Sequence, residues 1–150
     1  MKFIVAIDGS NASDRALKKT LALATATPSQ VILVTVAELQ MTYVPEVLMP
    51  TGDWVNLRSL PDLDLEQKII TSAQGILDHA QALCQTAGVP CEQRLERGFA
   101  RERLCAIAAE EQPDFLVLGS RGLGGLERLL LGSVSDYVAH HASVPVMIVR

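Results

Sequence analysis

The residues with most capacity for chemistry stand at the ends of two apolar runs. The first run closes on Ala6-Ile7-Asp8-Gly9-Ser10, and a later one on Leu118-Gly119-Ser120-Arg121-Gly122. Both ends are built from small residues, which let a ligand come close to the backbone. The stretch LVLGSRGLGGLERLLLGSVSDY, residues 116–137, holds five of the chain's ten glycines. Its Gly132-Ser133 pair opens a helix, whose free N–H groups and dipole attract an anion. A polyphosphate can lie between such a loop and such a helix start without a lysine cluster. Two familiar glycine signatures are missing. No glycine is followed by Lys and then Ser or Thr, as a Walker A loop requires. A dinucleotide fingerprint would start at Gly122-Leu123-Gly124, but Glu127 stands at its last glycine position, and the first strand is followed by Asp-Gly-Ser instead. The acidic cluster of a phospho-receiver is absent too. What remains is Gly119-x2-Gly122-x9-Gly132-Ser133.

Each of these residues also has a plainer role. Asp8 fits a turn that caps the first helix with Ser10 and Asn11. Ser133 and Asp136 have capping-box spacing. Arg121 can reach a phosphate or stay solvated, and Gly124 and Gly125 fall outside the motif. Efficient phosphoryl transfer needs a positioned nucleophile, metal ligands and charge on the leaving phosphate. Arg121, Asp8 and a few hydroxyls supply no dedicated base. The pattern therefore reads as binding, with an ATPase or an adenylate-transferring enzyme as the competing class and a nucleotide-free dimeric scaffold as a third.

The elements that must position these residues alternate. Continuous apolar runs at Phe3–Ile7, Val31–Val34 and Phe115–Leu118 suit strands buried on both faces. Cys91–Arg97 is polar and belongs at an edge. Val144–Val149 is apolar but carries Pro145, which points to a second edge. Helical spacing runs through Leu65, Ile69, Ala73, Ile76, Leu77, Ala80, Leu83, Cys84 and Ala87, with Gly88 as its stop. Leu17, Leu21 and Ala24 mark a helix before it. Leu104, Ile107 and Ala108 mark a third, ended by Pro113, and Val134–His141 forms a fourth. Strands alternating with helices predict a single α/β domain over residues 1–150 with a parallel sheet. The segment 38–61, with Pro45, Pro50, Gly52, Pro61, Tyr43 and Trp54, is long for a connection and reads as a lid or as cover for the core.

Composition narrows the classes. The net charge is −4, and Lys and Arg form no block, which argues against nucleic acid as the main partner. No apolar run reaches the ~18 residues of a membrane span. Cys84, Cys91 and Cys105 are odd in number and form no CxxC pair, so neither a disulfide framework nor a zinc site is expected. A reducing cytoplasm is the expected location. The plainest role for His140 and His141 is at the dipole of the last helix, and His79 is expected at the surface.

Taken together, VAIDGS at the first strand, VILVTV at the second, Gly98 after the third, the glycine motif and the closing SVPVMIV resemble the ATP-binding branch of the universal stress protein family, over essentially the whole chain. The resemblance implies an open, Rossmann-like five-stranded parallel sheet of order 3-2-1-4-5 with helices on both faces. It also implies adenine-nucleotide binding (ATP, or ADP or AMP), with Mg²⁺ brought by the phosphates. Asp8, beside Ala6 and Ile7, would hold the nucleoside and Val36 would border adenine. Thr35 stands where the family often has histidine. Leu118, Gly119, Ser120, Arg121, Gly122, Gly132, Ser133, Val134 and Ser135 would hold ribose and phosphates. A homodimer is implied, and the uncharged strand Val144–Val149 is its expected seam.

Overall fold

The computed structural model describes residues 1–38, 47–48, 54–55, 63–121 and 131–150. The apolar runs form strands. In chain order the elements are β1 (Lys2–Ala6), α1 (Asn11–Ala24), β2 (Gln30–Ala37), β3 (Val47–Leu48), β4 (Trp54–Val55), α2 (Leu63–Thr86), β5 (Cys91–Arg97), α3 (Ala100–Glu111), β6 (Phe115–Gly119), α4 (Ser133–His141) and β7 (Val146–Val149). Five strands make one sheet in the order β5-β2-β1-β6-β7, and every pairing in it is parallel. This is the predicted order, since β5, β6 and β7 are the third, fourth and fifth of the expected strands. β3 and β4 form a separate antiparallel pair. The rest of the 38–61 segment, beyond Glu38 and these two short strands, lies outside the described residues.

Continuous hydrophobicity in the central strands follows from cover on both faces. Phe3, Val5, Val31, Leu33 and Val117 pack with Leu17 and Leu21 of α1 and Leu77 and Cys84 of α2. The alternate residues Ile4, Ile32, Val34, Leu116 and Leu118 pack with Leu104 and Ile107 of α3 and Val138 of α4. Polar β5 does lie at an edge. On one side the amide of Gln93 bonds to Asp78 and Gln81 of α2. On the other, the Arg94 guanidinium reaches Glu110 and Glu111 of α3. α2 stops at Gly88, whose φ of +68° suits glycine, while Val89 N–H returns to the Cys84 carbonyl. α3 stops one residue before the expected Pro113, on Gln112 in a left-handed conformation. β7 begins at Val146, two residues later than the apolar run, because Pro145 has no amide hydrogen and contributes only its carbonyl, to Leu116 N–H.

Candidate functional site

In this order β1 lies between β2 and β6, and the connections depart in opposite directions from it. Ligands of open parallel sheets bind outside the carboxyl ends of the strands at such a reversal. A cleft of about 740 Å³ opens there. Ala6, Val36 and Leu118 give it an apolar floor, with Leu104 of α3 and Val134 of α4 beside them. Asp8 and Arg121 stand on its lining.

The turn after β1 is built by local hydrogen bonds. Ile7 N–H donates to the Val34 carbonyl at 2.8 Å, and the buried Thr35 hydroxyl donates to the Ile7 carbonyl at 2.8 Å. β2 thus holds the β1 end in place past the last ladder pair. Gly9 then turns with φ +79°. Ser10 caps α1, its hydroxyl accepting from Ser13 N–H at 3.1 Å. Asp8 Oδ1 accepts from Ser10 N–H at 3.0 Å. Asp8 is therefore a turn residue, as the plainer reading had it, and it also lines the cleft; its other carboxylate oxygen has no protein partner among the described residues.

The second strand end is held differently. The Ser120 carbonyl accepts from Gly132 N–H at 2.9 Å and from the Ser135 hydroxyl at 3.1 Å. Ser120 N–H donates to the Val149 carbonyl at 2.7 Å. These bonds fasten the two ends of the intervening loop together and tie its root to β7. Ser120 is buried by them and does not line the cleft, whereas Leu118, Gly119, Arg121, Gly132, Ser133, Val134 and Ser135 do. Gly122, like Gly124 and Gly125, lies outside the described residues.

One expectation is corrected, and one glycine has a reason that the sequence does not show. Gly119 is not at positive φ. It is needed because a Cβ there would sit 2.6 Å from the Ala12 carbonyl carbon. Ser133 does not cap α4. Gly132 is the cap residue, with no side-chain cap bond. The hydroxyl that a capping box would use is one residue too far in, and Ser135 turns its own back to the Ser120 and Gly132 carbonyls. The start of α4 is thereby left open to an outside acceptor.

Other cleft residues were not singled out from sequence. Lys68, Ile69, Ser72, Ala73 and Ile76 line it from α2, and Glu38 and Ala100 line it beside the start of α3. Ile69, Ala73 and Ile76 had the spacing of a core stripe. The signal that could have found Ser72 and Lys68 is their place on that same stripe, one and two turns before Ile76 respectively. Lys68 and Arg121 have no salt bridge among the described residues, so two cations and the carboxylates of Asp8 and Glu38 share the cleft. The thiols offer little chemistry nearby. Burial pushes Cys84 up to about 12 and raises Cys105 as well, so neither supplies a ready thiolate. Among the described residues no group of three His, Cys, Asp or Glu is placed to hold a metal ion, and no helix is long and apolar enough to cross a membrane.

Comparison with known proteins places this geometry in context. The model of the universal stress protein family matches residues 1–150. The universal stress protein YxiE of Bacillus subtilis is 30% identical over 153 aligned positions, covering 99% of this chain and 98% of that protein. A universal stress protein family protein of Arabidopsis thaliana, solved with AMP bound, is 25% identical with a TM-score of 0.69, over 99% of this chain and 90% of that one. A universal stress protein solved in complex with cAMP is 26% identical with a TM-score of 0.67, over 100% of this chain and 97% of that one.

Proposed function

The chain belongs to the universal stress protein family, and from that premise we propose that it is a regulatory protein that binds an adenine nucleotide in the cleft at the β1–β6 reversal. One observation carries the reading: the open start of α4, the fastened residues Arg121 and Gly132 and the Asp8 turn all meet at an apolar floor in a single cleft. AMP and cAMP in two relatives support the ligand class. The base lies on Val36 and Leu118, Asp8 uses its unpartnered oxygen on the nucleoside, and the phosphates take the amides at Ser133–Ser135 with Arg121 beside them. ATP is the favoured ligand, with ADP or AMP also fitting, and Mg²⁺ enters on the phosphates. Hydrolysis is slow at most, because no side chain among the described residues is set as a base toward an attacking water. The protein works in the cytoplasm as a homodimer joined along β7.

Mass spectrometry of nucleotide retained through gentle purification, followed by calorimetric titration, tests the reading. Adenine nucleotide in the native protein and its absence after unfolding are expected. A protein that retains none and shows no heat with ATP, AMP or cAMP refutes it. Single-turnover assays with ATP set the limit on hydrolysis.

A further inference from the structure

Three helices with described caps, α1, α3 and α4, begin at the carboxyl edge of the sheet. Each start carries a positive dipole end and free N–H groups that an anion would seek. They are not equally available. α1 is closed by the Ser10 hydroxyl. α4 has only Gly132 at its cap position. α3 is the unusual one. Its cap residue is Phe99, whose side chain accepts nothing and is 66% exposed. The first helical amide is nevertheless satisfied, because Ala100 N–H donates to Glu38 Oε1 at 2.7 Å across a separation of 62 residues. Glu38 lies just past the end of β2, and both it and Ala100 line the cleft.

α3 and α4 pack on the same face of the sheet, and Leu104 and Val134 flank the same apolar floor. Without Glu38 the cleft would offer a phosphate two helix starts around one floor. We propose that Glu38 is a specificity-determining residue of the cleft. Its carboxylate occupies the α3 start and keeps that end of the cleft negative, so the ligand's phosphate is directed to α4 and its uncharged end to β2 and α3. A nucleotide whose ribose carries a second phosphate, at 3′ as well as 5′, cannot seat both at α4; the second meets a like charge and is rejected. This rests on the nucleotide reading above and names the ligand class within it: nucleotides with a single phosphate group or chain on the ribose.

Two variants separate the carboxylate's two roles. Glu38→Gln keeps an oxygen that can accept from Ala100 N–H but removes the charge. Glu38→Ala removes both. Calorimetry with adenosine 5′-monophosphate and adenosine 3′,5′-bisphosphate reads the selectivity, and amide hydrogen exchange at residues 100–102 reads the cap. The native protein should prefer the monophosphate by about tenfold or more, the scale of a like-charge penalty of about 1.4 kcal/mol. Glu38→Gln should reduce that preference to about threefold or less while leaving exchange nearly unchanged. Glu38→Ala should lose the preference and speed exchange in the first turn of α3. An undiminished preference in both variants, with the monophosphate still bound, overturns the proposal and leaves the nucleotide reading standing. Unchanged exchange in Glu38→Ala overturns the capping role whatever binds. A native protein that binds neither compound, nor ATP or cAMP, refutes the nucleotide reading, and this specificity falls with it.

Discussion

Gly119 lacks a side chain because α1 leaves no space for one. A methyl group there would meet the backbone carbon and oxygen of Ala12 at 2.6 and 2.8 Å, distances that only movement of the helix could relieve. Gly119→Ala should therefore destabilise the fold by roughly 1–3 kcal/mol, as overpacking does, visible as an earlier midpoint in urea. Gly132→Ala meets its nearest heavy atom, the Arg121 Cα, at 3.3 Å and should be milder. Both glycines were legible in the sequence as a motif. The reason for the first was not, because Ala12 comes close only after β6 has paired beside β1 and α1 has packed across it. The same limit applies to Ser133. Its spacing to Asp136 is that of a capping box, yet the helix is fixed by Ser120 accepting from Gly132 and Ser135, a contact no local pattern shows. Asp8 admits a sharper test. Asp8→Ala loses both the turn bond to Ser10 and the second carboxylate oxygen, whereas Asp8→Asn can keep the turn through its amide oxygen. Under the proposed function both should weaken ATP and adenosine alike, by about tenfold, in calorimetric titrations. Loss in the alanine variant alone would assign Asp8 to the turn only.

At the scale of elements, β5 and α3 are joined by charge more than by apolar surface. Arg94 binds Glu96, Glu110 and Glu111, Lys2 reaches Glu111 from β1, and Arg103 reaches Glu96 from α3. The hydrogen bond from Arg94 holds the Glu96 carboxyl below its ordinary value of 4.5, and that from Lys2 does the same for Glu111. A carboxylate depressed in the folded state stabilises fully above its unfolded value. That stability is lost as pH falls through the folded one. Thermal stability should thus be flat above about pH 5 and decline below about 4.5, with Arg94→Met making the decline shallower in melts taken across that range. An acid limb identical in the variant would mean that the network adds nothing. The edge position of β5 was legible from its polarity. Its partners were not, since an ion pair between strand and helix depends on which face each residue takes.

For the molecule as a whole, the strand–helix alternation was enough to read a parallel sheet, because uninterrupted apolar runs have no other use when both faces are covered. The strand order came from family resemblance and agrees with the structure. Lys68 and Glu38 stayed hidden because only the assembled sheet brings the start of α2 and the end of β2 to one opening. The order leaves β7 at an edge with four half-buried apolar residues, Val146, Met147, Ile148 and Val149, and no charge among them. Such a strand invites pairing with a second copy through the same residues, which closes into a two-fold dimer. Sedimentation should show a dimer at micromolar concentration, and Ile148→Lys should shift it to monomer or aggregate. A native protein that remains monomeric at high micromolar concentration would remove the dimer while leaving the cleft intact.

The bond from Ser120 N–H to the Val149 carbonyl also has a consequence for biosynthesis. Two of the three floor residues, Ala6 and Val36, lie on β1 and β2, which emerge early, and the third, Leu118, on β6. The root of the loop is fastened to β7, the last strand in chain order, and α4 can be oriented only once that root is held. A growing chain therefore has no finished cleft while β7 is still in the ribosome. Under the proposed function, ligand cannot guide the early steps of folding. It would stabilise only the completed sheet, by mass action on a site that forms late. Ribosome-bound chains stalled before Val146 should retain no nucleotide, and chains released with β7 extruded should begin to do so.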